Sequence, residues 1–127
     1  MMKTISTLLC VFLGGGLGSI GRYLVAVAMK KHQLLLGGLP IHTLLVNVVG
    51  SLLIGLLMGC LSKNPSHWLQ MLLVVGFCGG FTTFSTFSFE VMEFLKIGNT
   101  LMALLYVLLS LSLCVLMTTL GFVMTRA

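Results

Sequence analysis

The chain of 127 residues is 58% hydrophobic and only 7% charged, with a mean hydropathy of +1.18. A soluble domain carries about 25% charged residues, so this composition excludes an ordinary water-soluble globule and predicts a protein that lives in a bilayer. The formal charge of +5 comes from scattered lysines and arginines, which argues against a nucleic-acid-binding face.

Four apolar segments, roughly Thr4–Met29, Ile41–Leu61, Trp68–Leu95 and Leu101–Met124, each reach the ~20 residues a membrane span needs. They leave no space for a soluble domain. The predicted fold class is an all-α membrane protein, one domain over residues 1–127 with four transmembrane helices. In the first segment Lys3 precedes an apolar run, as in a signal peptide. That run continues past Gly18 to Arg22 without an A-x-A-like cleavage site, so it is read as a span.

The first segment contains G-G-G-L-G-S-I-G-R-Y at Gly14–Tyr23. Its G-x-G-x-x-G (Gly16, Gly18, Gly21) follows no strand and lies within a span, so a dinucleotide site is rejected. Gly14 and Gly18 have the four-residue spacing that lets membrane helices approach closely. Arg22 lies about 28 Å along a helix that starts near Thr4. There it either snorkels at the interface beside Tyr23 or places a positive charge at the mouth of an anion path. In the loop Lys30–Pro40, Gly37, Gly38 and Pro40 mark the turn, and His32 and His42 are read as exposed loop histidines without a role.

The second segment repeats Asn47, Ser51, Gly55 and Gly59 every four residues, a stripe suited to close packing. The Asn47 amide is either interhelical glue or a pore-facing donor to an anion. The third segment starts near Trp68, an interfacial anchor. It then reads G-F-C-G-G-F-T-T-F-S-T-F-S-F-E-V-M-E over Gly76–Glu93. A plain span has no use for a glycine pair followed by hydroxyls and phenyl rings, so this is predicted as a helix broken at Gly79–Gly80 near the bilayer centre. Broken ends expose carbonyls, which suit a small cation, and N–H groups, which suit an anion. Beyond the break, Thr82, Thr86, Glu90 and Glu93 are predicted on one face, with Phe84 and Phe87 beside it. Those rings either pack against core and lipid or turn their edges to a polar path. In the fourth segment Asn99, Tyr106, Ser110, Cys114 and Thr118 form a predicted polar seam.

The four cysteines fall one to a segment, without C-x-x-C spacing, and are read as small apolar fillers. Charge is nearly balanced between the two sides of a four-span arrangement. Lys3, Lys63 and Arg126 share one side; Lys30, Lys31 and Lys96 share the other, with Arg22 near it. The positive-inside rule therefore gives almost no orientation, which leaves open that the chain inserts both ways and pairs with an opposed copy.

The stretches G-G-L-G-S-I-G-R-Y, T-L-L-V-N-V-V-G-S-L-L-I-G and G-F-C-G-G-F-T-T-F-S-T-F-S-F-E, in this order and spacing, resemble the small microbial fluoride channels of the Fluc or CrcB family. The resemblance covers all four segments. It implies an antiparallel, dual-topology homodimer in the cell membrane (for a bacterium, the inner membrane), with two fluoride pores and a structural sodium ion at the central break. By resemblance the backbone carbonyls of Gly79 and Thr82 would hold the sodium, and Phe84 and Phe87 would line the pores. Asn47, Tyr106 and Ser110 would add polar groups along the path. Ser85 and Thr86 are assigned to the pathway with those rings, and Arg22 and Glu90 to the vestibule or its structure. His42 stands where the family commonly has glycine, and Cys114 where serine is expected.

Fluoride is small and tightly hydrated, so amide and hydroxyl donors and the positive rims of phenyl rings are suited to replace its water. Two other classes share the four-span composition. A small multidrug-type proton antiporter needs an exchanging intramembrane carboxylate, and the first two segments hold no Asp or Glu. A non-transporting structural subunit explains the small-residue stripes but not the hydroxyl–phenyl run. An enzyme is excluded in this reading, since no nucleophile–base pair or metal-ligand cluster is visible.

Overall fold

The computed structural model describes residues 2–30 and 38–126. Lys31, His32 and Gly37, used above in the charge balance and the loop, lie outside the described residues. The elements are α1 (Met2–Met29), α2 (Ile41–Lys63), α3 (His67–Leu69), a π-helical stretch (Gln70–Cys78), α4 (Gly79–Phe81), α5 (Phe84–Lys96) and α6 (Thr100–Arg126). The pieces from α3 to α5 form one span. Four helical segments, Lys3–Met29, Ile41–Lys63, His67–Lys96 and Thr100–Arg126, are long and apolar enough to cross a membrane. Even the 23 residues of α2 reach about 35 Å, more than the ~30 Å hydrocarbon core. The protein is a multi-pass membrane protein, and its many outward-facing apolar side chains, Leu8, Phe12, Leu105 and Leu108 among them, suit a lipid solvent.

The ends of these helices are made by local chemistry. The Ser66 hydroxyl accepts from Leu69 N–H at 3.4 Å where α3 begins. α5 stops in a Schellman turn: Gly98, at φ +76°, and Asn99 donate back to the carbonyls of Leu95 and Phe94 at 3.1 and 2.9 Å. The Asn99 side chain then accepts from Met102 N–H at 3.2 Å and caps α6. Asn99 therefore leaves the predicted polar seam: an exposed asparagine at a helix start satisfies backbone donors rather than facing a neighbouring span.

Packing divides the spans into pairs. α1 lies along the π-helical stretch and α4, α2 lies along α6, and α5 leans on α6. Glycine makes both main contacts possible. A Cβ at Gly18 would run into Phe77 O and Phe81 N, and one at Gly121 into Leu52 O and Leu56 N. The spacing of Gly14 and Gly18 is thus spent on the third span, and that of Gly55 and Gly59 on α6. Ser51 leaves that contact and faces a groove described below.

Two features of the third span depart from expectation. The stretch Gln70–Cys78 is π-helical; its apolar sequence carries no mark distinguishing i→i+5 from i→i+4 pairing. The break lies at Thr82–Thr83, not at Gly79–Gly80, which remain helical in α4. Gly80 is used for contact instead, backed against Gly15. A glycine pair lowers helix stability but does not end a helix that packing holds in place.

Gly18→Ala is expected to destabilise the protein by about 1–3 kcal/mol through overpacking against backbone. Gly16→Ala, where an added Cβ meets nothing within 4 Å, is expected to be neutral or slightly stabilising. Thermal unfolding of both variants in one detergent checks the difference; equal midpoints would contradict the packing described.

Candidate functional site

The break is held open by a side chain from another span. Thr82 and Thr83 are both extended, at φ/ψ −78°/158° and −150°/121°. Asn47 of α2 reads Thr83 as a strand partner would: its Oδ1 accepts from Thr83 N–H at 2.8 Å, and its Nδ2 donates to the Thr83 carbonyl at 3.0 Å. In an unbroken helix the Thr83 N–H would go to the Gly79 carbonyl. Likewise the Thr86 N–H would go to the Thr82 carbonyl, but it donates to Thr83 Oγ1 at 3.3 Å, capping α5. The clamp and the cap therefore divert the helical donors of two carbonyls, Gly79 and Thr82. The Thr82 hydroxyl is turned back to the Cys78 carbonyl at 2.8 Å, so its side chain does not continue the face of Thr86 and Glu90.

A groove of about 530 Å³ runs beside this break. Asn47, Ser51, Gly79, Thr82 and Thr83 line it on the α2 and break side, Phe84 and Phe87 follow along α5, and Ser110 and Cys114 face it from α6. Phe84 is 73% exposed, whereas Phe87 is 7% exposed and packed between Phe84 and Tyr106, with ring centroids 5.6 and 5.1 Å away. Ser110 Oγ is buried without a hydrogen-bond partner among the described residues. Cys114, one turn further, faces the same groove, which places it on the row of Ser110.

Thr83 Oγ1 is the hub of the hydroxyls, within 3.3 Å of Ser85 Oγ and donating to Thr86 Oγ1 at 3.1 Å. Deeper in the chain Glu90 joins three spans. Thr43 Oγ1 donates to its Oε1 at 2.6 Å, Tyr106 OH donates to its Oε2 at 2.8 Å, and His42 Nε2 lies 3.6 Å from Oε1. Thr43 and Tyr106 are fully buried and the Glu90 side chain is 15% exposed. Glu93 is exposed and takes no part. A second cavity, about 270 Å³, adjoins the break and is lined by Ser19 and Arg22 of α1, His42 and Thr43 of α2, and Thr83 and Thr86.

The structure therefore brings Asn47, Phe84, Phe87 and Ser110 to one groove with Gly79 and Thr82. Thr86 and Arg22 share the second cavity, and Ser85 links to it through Thr83. Tyr106 and Glu90 stand between, with the Tyr106 proton directed at Glu90 rather than at the groove. Three residues escaped the sequence reading. Thr43 lies four before Asn47 on the same face of α2, a signal that was available. Thr83 was seen only as one hydroxyl among many. His42 was read as a loop residue, whereas it sits in the first turn of α2 against Glu90.

The sequence pattern described as "CrcB-like protein, Camphor Resistance (CrcB)" matches residues 9–122. The chain belongs to the CrcB family. Among its relatives, the fluoride-specific ion channel FluC of Pectobacterium atrosepticum is 45% identical over 120 residues, covering 92% of this chain and 91% of the relative. That of Gloeothece citriformis is 46% identical over 105 residues, covering 82% and 84%. That of Flavobacterium psychrophilum is 39% identical over 122 residues, covering 94% and 97%. The similarity spans all four helical segments, so the break and both cavities lie inside the matched region.

Asn47→Ala strands the Thr83 N–H and C=O, each at about 1–3 kcal/mol. The variant is expected to unfold at a lower temperature than wild type. Asn47→Asp, which sets a carboxylate against the Thr83 carbonyl, should not rescue it. An unchanged unfolding midpoint for Asn47→Ala would remove the clamp as the cause of the break.

Proposed function

We propose that this CrcB-family protein is a fluoride-selective ion channel, one four-span domain per chain, that lets fluoride leave the cytoplasm passively and so relieves its toxicity. The observation that carries the reading is the groove at the broken span. There two phenyl rings, the buried Ser110 hydroxyl and an asparagine amide face one passage beside a mid-span break. The names of the relatives agree with it.

Each residue contributes a replacement for water. Ser110 Oγ–H and the second Nδ2 proton of Asn47 donate directly, and the positive ring edges of Phe84 and Phe87 attract the anion without binding it too tightly to leave. Ser85 and Thr86 extend the hydroxyl track, the Tyr106 ring backs that of Phe87, and Arg22 raises the local anion concentration at the vestibule. A proton antiporter is disfavoured because Glu90 is engaged by Thr43, Tyr106 and His42, whereas exchange needs a carboxylate free to take and release its ligand. Channel conduction needs no covalent chemistry, and the reading assigns none.

The functional unit in this reading is an antiparallel homodimer of dual topology. Its support is the near-balanced charge, the 73% exposure of Phe84 and the open space at Gly79, which leave one wall of the groove to be supplied by a second copy. The carbonyls of Gly79 and Thr82 fit a small hard cation, since both lose their helical donors to the clamp and the cap. Sodium bound there would neutralise the carbonyl dipoles of the two copies. Ion-replacement diffraction from crystals of the dimer is expected to show a cation between oppositely oriented subunits. Parallel subunits, or apolar packing at that point, would remove both statements.

Reconstituted in liposomes, the protein is expected to pass fluoride and not chloride. Phe87→Leu keeps apolar bulk, at under about 1.5 kcal/mol of stability, but removes the ring edge. Fluoride efflux should fall at least about tenfold, ~1.4 kcal/mol on the barrier, while the dimer still elutes at wild-type volume. Equal fluoride and chloride efflux would overturn the function; normal flux in Phe87→Leu would overturn the ring-edge mechanism alone.

A further inference from the structure

We propose that a cavity between α1 and the start of the third span binds an anionic phospholipid, its headgroup at Lys3 and Trp68 and an acyl chain running inward. The cavity measures about 410 Å³ and shares no lining residue with the groove at the break. Lys3, Thr7 and Cys10 line it from one face of α1, and His67, Trp68 and Met71 face them from the third span. Cys10 lies about 10 Å further along the helix than Lys3. The outer end is therefore cationic and polar, while the inner end, at Met71 and the buried Cys10, is apolar. A free anion matches the outer end alone. A lipid matches both.

The two walls are tied together by groups that a ligand does not need. His67 Nε2 lies 3.3 Å from Thr7 Oγ1, and the Thr7 and Ser6 hydroxyls both donate to the Lys3 carbonyl at 2.9 Å. The Lys3 ammonium and the Trp68 indole N–H are left as donors, neither with a partner among the described residues. Trp68 is 61% exposed, as suits an indole at headgroup level, where its N–H meets ester and phosphate oxygens. Charge selects the kind of headgroup. Lys3, Lys63 and Arg126 share this side of the four-span arrangement. Both acidic residues of the chain, Glu90 and Glu93, lie in α5, toward the opposite end of the third span. One lysine at a membrane surface favours an anionic over a neutral headgroup by roughly fivefold. A snorkelling lysine needs only the interface; the cavity beneath Lys3 gives a lipid chain a place to lie.

Trp68 is the single tryptophan of the chain, so its fluorescence reports this site directly. The test places the full-length protein in bilayers mixing phosphatidylglycerol with phosphatidylcholine, one or the other brominated on its acyl chains as a contact quencher. The relative binding constant from the quenching curves is expected to favour phosphatidylglycerol by roughly fivefold. Lys3→Gln should bring that ratio close to one, and Lys3→Arg should keep it. Lys63→Gln, on the same side but outside the cavity, should keep it as well. Equal quenching by the two lipids in wild type overturns the proposal. So does a Lys63→Gln variant that loses the preference as fully as Lys3→Gln, since the preference would then belong to the whole face. Excess inorganic phosphate is expected to leave the quenching unchanged; relief of quenching would assign the cavity to free phosphate and overturn the lipid. None of these readouts involves fluoride, so each outcome holds whichever ion the protein carries.

Discussion

The two hydrogen bonds between the Asn47 amide and the Thr83 backbone are the interaction on which the rest of the structure depends. In hydrocarbon a backbone N–H or C=O has no water to turn to, so a span can stop being a helix only where another group takes over. Asn47 offers one acceptor and one donor at the spacing of an extended residue, and it does so from a neighbouring span. With it in place, α4 can end at Phe81 and α5 can start afresh at Phe84. Everything of chemical interest follows from that restart: the hydroxyl cap, the diverted carbonyl donors, and the two phenyl rings at the head of α5.

The spans around the break are joined in a different way. Gly18 against Phe77 and Phe81, and Gly121 against Leu52 and Leu56, bring backbones into contact. Without a hydrophobic force between helices in lipid, such packing is a main source of association. These contacts fix α1 to the first half of the third span and α2 to α6. They leave α5 free of close glycine contact. The half-span that carries the rings is instead held by polar links: Glu90 to Thr43 and Tyr106, and Thr83 to Asn47.

Much of this was legible in the chain. Segment boundaries agreed within a few residues because twenty-residue apolar runs have one reading in a bilayer. The broken third span was legible because hydroxyls and glycines are out of place there. Its position was not, since a glycine pair looks the same in sequence whether it ends a helix or lets a neighbour approach, and only contact with Gly15 decides. The π-helical stretch left no trace in a uniformly apolar sequence. At the site, the types of Phe84, Phe87 and Ser110 suggested a polar path, whereas the dual engagement of Asn47 and the placing of His42 against Glu90 depend on how α2 and α5 meet, which no spacing within one segment records.

A carboxylate held between membrane spans needs an explanation, and the Glu90 cluster supplies one. A bare buried carboxylate would both repel fluoride and lack solvation. Here one oxygen receives the Thr43 hydroxyl and the other the Tyr106 hydroxyl, with His42 near the first. Donors on both oxygens stabilise the buried charge and hold the carboxylate in one position. The same bonds orient Tyr106 so that its ring, 5.1 Å from that of Phe87, backs the inner phenylalanine and fixes the direction of its edge. Glu90 is then a positioning group: removed, it would leave two buried hydroxyls without an acceptor and the Phe87 ring without its support. The negative charge is the means by which three spans agree on where one aromatic edge faces.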